Sequence, residues 1–131
     1  MSALPAPYAA AHASPRGPGD ARPTALQIVR DCGLGDGSLA GNVMLVTGCT
    51  SGIGPETARA LHATGADVYM TARDPARAAD LAASMRAAGH AGRVEVLRME
   101  LAELASVREA AGEFLRRSGG RCHVLVNNAG E

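Results

Sequence analysis

The sequence predicts an α/β fold of three layers, in which a parallel sheet of about four strands carries helices on both faces. Three observations support this. From residue 43 onward, short apolar runs alternate with longer segments of helical period. The runs are apolar at consecutive positions, the pattern of strands buried on both faces. Each helical segment of this region closes on glycine before the next run begins.

Residues 1–23, "MSALPAPYAAAHASPRGPGDARP", are rich in Ala, Pro, Gly and Ser and show no period, so they are expected to be a disordered tail. The tail lacks the charged start and unbroken apolar stretch of a secretory signal. Arg16 and Arg22 would suit a mitochondrial transit peptide, but the prolines spoil an amphipathic helix. Residues 24–38 are expected to give a short docking helix and a loop. Thr24 is a candidate N-cap, Leu26, Val29 and Cys32 can share a face, Gly33 can stop the helix, and "GLGDGSLAG" leads into the first strand.

Residues 39–131 form the main domain. Its strands are "VMLVT" (43–47), "DVYMTA" (67–72), "VEVLRM" (94–99) and "HVLVN" (123–127). The first crossover helix spans Ile53 to Thr64 and closes at Gly65, with Pro55 tolerated in a first turn that has no amide partner to lose. The second runs from Pro75 to Ala88 behind Asp74 as N-cap, with Leu81 and Met85 on one face. The third, Leu104 to Ser118, places Leu104, Val107, Ala111, Phe114 and Leu115 on one stripe, expected to face the core.

Composition narrows the function classes. Thirteen basic and 13 acidic side chains give a formal charge of zero, so no nucleic-acid or anionic-membrane partner is expected, and Arg116-Arg117 reads as a solvated helix end. The apolar runs are far shorter than the roughly 18 residues needed to span a bilayer. Cys32, Cys49 and Cys122 make neither a paired disulfide framework nor a zinc spacing, so reduced thiols and a cytoplasmic location are expected, with mitochondrial targeting by the tail left open. His12, His62, His90 and His123 have no ligand-like spacing and are expected at the surface or at strand ends; no metal site is assigned.

The stretch "TGCTSGIG", residues 47–54, ends the first strand and opens the first crossover helix at once. A helix that starts there aims unpaired amides and its positive dipole end at the crevice above the sheet, where an anion is favoured. Gly48 can make the sharp exit, Gly52 can let backbone approach a phosphate, Gly54 can let the helix lie close on the sheet, and Thr50 and Ser51 add hydroxyls. A P-loop would need a lysine after the last glycine, whereas Pro55 follows Ile53-Gly54 here. A nucleophile elbow would need G-x-S-x-G, so Ser51 is a poor nucleophile. A glycine loop that merely turns the chain is the plain alternative.

The pattern T-G-x-x-x-G-x-G (Thr47, Gly48, Gly52, Gly54) together with N-N-A-G (Asn127, Asn128, Ala129, Gly130) resembles the short-chain dehydrogenase/reductase family, over nearly all of Leu39 to Gly130. The spacing is that of the compact branch. "VTGCTSGIGPETARALHATGADVYMTARD", "ELASVREAAGEFL" and "HVLVNNAG" are most similar to retinol-dehydrogenase-like and WW-domain-oxidoreductase-like members, especially the fungal ones.

The resemblance implies a Rossmann-type half-fold with strand order 3-2-1-4 and a dinucleotide cofactor on Gly48, Thr50, Ser51, Gly52, Ile53 and Gly54. Arg73 follows the second strand, where a guanidinium would pair with a 2′-phosphate and favour NADP; an ordinary exposed arginine is the alternative. Asp74 reads as a helix cap, and Asp67 lies at the wrong end of its strand for the ribose. After the third strand the family has Asp and an aliphatic residue that recognise the adenine; here Glu100-Leu101 stand there, with an acid one methylene longer. Asn128 is expected to bridge strand backbones, and Ala129 and Gly130 to keep the cofactor's approach clear.

The family's catalytic Ser and Tyr-x-x-x-Lys lie downstream of N-N-A-G. This chain has no lysine, and its two tyrosines are Tyr8 and Tyr69, so no catalytic residue is assigned. The expectation is an NADP-dependent oxidoreductase sequence acting on a small or lipid-like carbonyl or alcohol, present as a truncated cofactor-binding portion that is inactive alone. An exposed fourth-strand edge would favour self-association. The alternative is a non-catalytic nucleotide-binding or interaction protein built on the same half-fold.

Overall fold

A computed structural model describes residues 5–35 and 37–130. The expectations that fall on residues 1–4, on residue 36 of the glycine-rich loop and on residue 131 lie outside the described residues. The elements are α1 (Ala25–Asp31), β1 (Val43–Val46), α2 (Gly54–His62), β2 (Asp67–Ala72), α3 (Pro75–Ala87), β3 (Val94–Arg98), α4 (Leu104–Ser118) and β4 (Val124–Val126), with a 3-10 turn at Ala9–His12 before them.

All strands pair in parallel in the order β3-β2-β1-β4. Alternation along each strand sorts the core into two layers. Val46, Val68, Met70 and Val94 meet Ala58 of α2 and Ala82 and Met85 of α3 on one face. Val43, Tyr69 and Leu97 meet Phe114 of α4 on the other. The three-layer expectation holds, with element ends shifted by one or two residues.

Local chemistry explains the starts and stops. Thr24 caps α1 by accepting from the Gln27 amide (3.1 Å), and Asp74 caps α3 by accepting from the Ala76 amide (3.0 Å). Gly119, left-handed at φ 66°, ends α4. Ahead of α1, where no regular period was expected, the chain forms its 3-10 turn, and the Tyr8 hydroxyl donates to Asp31 at 2.8 Å. That contact raises the Tyr8 pKa, because the Asp31 carboxylate accepts the phenol's proton in a hydrogen bond.

Two expectations are corrected. His62, expected at the surface or a strand end, is 1% exposed in α2, its Nε2 at 2.8 Å from the Gly92 carbonyl, and the His90 ring stands edge-on to it. The neighbouring loop thus supplies the polar partner that burial demands. The stripe of α4 is also rotated. Phe114 is buried, but with Ser106, Ala110 and Ser118, while Leu104 (68% exposed) and Leu115 (50% exposed) face outward.

Phe114 sets that rotation. Its ring meets Tyr69 edge-to-face, 5.0 Å between centroids at 86°, and the small residues one turn away on either side let the helix lie close to the sheet. An ion pair from Arg117 to Glu95 of β3 suits the same rotation. Val107 and Ala111 border a cleft beside β4 that Leu45, Leu97 and Leu125 also line.

Phe114→Ala is therefore expected to lower unfolding free energy by about 3–5 kcal/mol in urea titrations. Leu104→Gln and Leu115→Gln should each change it by about 0.5 kcal/mol or less, since both side chains already meet solvent. Equal losses would show the wrong face of α4 to be buried.

Candidate functional site

The carboxyl ends of the strands open onto a cleft of about 720 Å³. Four chain segments wall it: the β1–α2 loop, the end of β2 with Arg73, the turn after β3, and the residues after β4. Of the residues singled out from the sequence, Gly48, Thr50, Ser51, Gly52, Ile53, Arg73, Glu100, Leu101, Asn128, Ala129 and Gly130 all line this cleft. Gly54 does not; it is buried just behind it.

The glycines act in different ways. Gly48 turns the chain at φ 72°, and a Cβ there would come within 2.9 Å of Ala129 Cα. Gly52 also has positive φ (67°), but a Cβ there would meet nothing within 4 Å, so its backbone faces open space. Gly54 has no unusual torsion; a Cβ there would lie 2.2 Å from the Gly48 carbonyl oxygen and 2.9 Å from Asn128 Nδ2.

That carbonyl is held. Asn128 Nδ2 donates to Gly48 O (2.9 Å) and Thr47 O (3.1 Å), while Thr47 Oγ1 accepts from the amides of Asn128 (3.1 Å) and Ala129 (3.0 Å). Asn128 thus bridges the exits of β1 and β4. Thr71, which sequence reasoning alone does not single out, adds a tether: its Oγ1 accepts from the Gly48 amide (3.4 Å) and its carbonyl from the Cys49 amide (3.3 Å). The only signal was a hydroxyl in the run "DVYMTA".

Electrostatics are simple here. α2 points its amino end into the cleft, Arg73 is the one cation among the lining residues and Glu100 the one acid. Arg73 is exposed and makes no hydrogen bond or ion pair among the described residues. Glu100 Oε1 accepts from the Ala102 amide (3.2 Å), which curls the side chain back, and its second oxygen has no hydrogen-bond partner among the described residues. The Glu100 amide donates to Ser106 Oγ at 2.9 Å, another contact with no signature in the sequence. Asp67, at the amino end of β2, instead accepts from the Arg93 amide. Cys49 lies beneath the loop, 1% exposed, and burial pushes its thiol pKa up to about 12.

The short chain dehydrogenase family model matches residues 42–131, which contain every one of these walls. The chain belongs to that family. It is 46% identical over 125 residues to oxidoreductase calI of Penicillium decumbens, covering 94% of this chain and 36% of the fungal protein. It is 38% identical over 92 residues to human (Homo sapiens) retinol dehydrogenase 12, covering 70% of this chain and 29% of that protein. Among solved structures, a metagenomic short-chain oxidoreductase in complex with NADP superposes with a TM-score of 0.66 at 40% identity, covering 72% of this chain and 41% of that one. The chain therefore spans about a third of the length of these curated relatives. Among the described residues no helix is long and apolar enough to cross a membrane, and no cluster of three or more potential metal ligands occurs.

Two outcomes follow from this packing. Gly54→Ala drives a methyl into the Gly48 carbonyl and should destabilise the fold by about 2 kcal/mol or more, while Gly52→Ala should cost only about 1–2 kcal/mol for its positive φ; thermal or urea melts compare the two. In the native protein at pH 8, Cys32 and Cys122, both exposed, should react with a thiol reagent, while Cys49 reacts only after unfolding.

Proposed function

We propose that this chain is the dinucleotide-binding, N-terminal portion of an NADP-dependent oxidoreductase that interconverts a carbonyl and an alcohol. The observation that carries this is the convergence of the glycine loop, Arg73, Glu100 and Asn128 on one cleft at the amino end of α2. The NADP complex of the metagenomic relative supports it. Residues 39–131 make up the binding domain, preceded by the helix and loop of 24–38 and the tail of 1–23.

The cleft fits such a ligand. Its diphosphate would lie over Gly48, Thr50, Ser51, Gly52 and Ile53, where the first amides of α2 have no helical partner and Gly52 leaves room. Gly54 keeps the helix tight behind it. Arg73 would pair with the 2′-phosphate, Glu100 would accept from the adenine amino group and Leu101 would pack on the ring. Asn128 holds the loop, and Ala129 and Gly130 leave the way open toward the nicotinamide. When bound, the cofactor supplies the hydride.

No residue of this chain is assigned to proton transfer. Tyr8 is bonded to Asp31, and Tyr69 is buried under α4. Hydride transfer by this chain alone is therefore not expected, and its substrate class, a small or lipid-like carbonyl or alcohol, belongs to the full-length relative. Free thiols suit the cytoplasm, to which we assign it. β4 is a sheet edge with Val124 and Leu125 exposed, and we propose that copies associate along it.

Calorimetric titration tests the cofactor assignment. NADP should bind more tightly than NAD, and Arg73→Ala should weaken NADP about 10- to 100-fold, the scale of a charge-assisted hydrogen bond, while leaving NAD unchanged. Equal affinity for the two, or none for either, would overturn the reading.

A further inference from the structure

The turn after β3 supplies one wall of the cleft, yet it is an irregular stretch of a few residues between a strand and a helix. Something must hold its shape. Inside the turn, the Glu103 amide donates to the Glu100 carbonyl (3.1 Å) and the Ala102 amide donates to the Glu100 carboxylate (3.2 Å). Both bonds are local, so they fix the turn on itself but not its place against the sheet.

Just ahead of the turn, the Met99 amide donates to the Ala72 carbonyl (2.9 Å), which fixes the chain on the sheet side, and the tie to α4 comes from Ser106. It lies in the first turn of α4, 4% exposed, on the buried face that continues through Ala110 to Phe114. Its Oγ accepts from the Glu100 amide at 2.9 Å. The Phe114–Tyr69 contact fixes the rotation of α4, the rotation fixes Ser106, and Ser106 fixes where Glu100 leaves β3. A serine at a buried helical position is otherwise an odd choice, since an alanine would pack there with no polar group to satisfy.

We propose that Ser106 is a positioning residue for adenine recognition: through the Glu100 amide it aims the Glu100 carboxylate at the exocyclic amino group. This rests on the reading above that Glu100 takes that amino group. Leu101, next in the same turn, is set against the ring by the same bond.

The test compares NADP with its hypoxanthine counterpart, nicotinamide hypoxanthine dinucleotide phosphate, whose ring bears a carbonyl in place of the amino group. The intact chain should prefer NADP about tenfold, the scale of one hydrogen bond to a charged group. Ser106→Ala should reduce that preference to about twofold and speed hydrogen exchange at the Glu100 amide without altering the rest of β3. Ser106→Thr, which keeps the acceptor, should restore both. A Ser106→Ala protein that keeps the full preference and a protected Glu100 amide would overturn the proposal. An unsubstituted chain that binds neither compound would refute the dinucleotide reading itself, and one that binds both alike would refute the role of Glu100; either removes the basis for Ser106.

Discussion

The carbonyl of Gly48 is where the site and the fold meet. It takes a hydrogen bond from the Asn128 side chain, and the bare α-carbon of Gly54 is pressed against the same bonded pair. Gly48 leaves β1, Gly54 opens α2 and Asn128 follows β4. One oxygen therefore sets the distance between the strand exit, the helix entry and the neighbouring strand. A side chain at Gly54 would separate all three at once, because the obstacle is backbone and cannot rotate away.

This constraint explains why the two motifs occur together. The glycine loop alone would be free to swing on its two positive-φ joints, Gly48 and Gly52. The Thr47–Asn128–Ala129 bonds on one side and the Thr71 hydroxyl on the other remove that freedom. Of the loop's three glycines, Gly52 alone has open space beside its α-carbon, and that is the place where an anion would need the backbone to yield a close approach. Rigidity at the base and openness at the rim come from different residues of one loop.

The strand and helix positions were legible in the sequence because each rests on a local pattern, consecutive apolar runs and glycine-terminated helices; the sheet order and the gathering of the glycine loop, Arg73, Glu100 and Asn128 at one cleft followed only from the resemblance to a known family. What was not legible depends on contacts across the fold. Five apolar residues of α4 form a stripe on paper, yet one aromatic pair, Phe114 on Tyr69, outweighs the others and turns the helix so that serine and alanine face the sheet. His62 looked like a polar surface residue because its partner, the Gly92 carbonyl, is thirty residues away in the chain. Thr71 has the same difficulty, with its partner Gly48 on another strand's exit, whereas the partner of Ser106, Glu100, is near in the chain but carries no pattern that marks it. Each is a single hydroxyl in an apolar setting, and only the folded chain shows which amide it accepts from.

The cleft mixes polar groups with exposed apolar side chains, Ile53 and Leu101 among them. Arg73, Glu100 and the glycine loop gather over β1, β2 and β3, where helices pack both faces of the sheet. Further exposed apolar side chains are Val124 and Leu125 on β4 and Leu104 and Leu115 on the outer face of α4. Asn128 follows β4, bonded to β1 through Thr47 and Gly48. The strand is held by side-chain bonds as well as by its own short ladder: β4 offers three residues to β1, and His123 and Asn128 add a bond at each end, so the exit that carries Asn128 keeps its place beside β1 although the ladder is short.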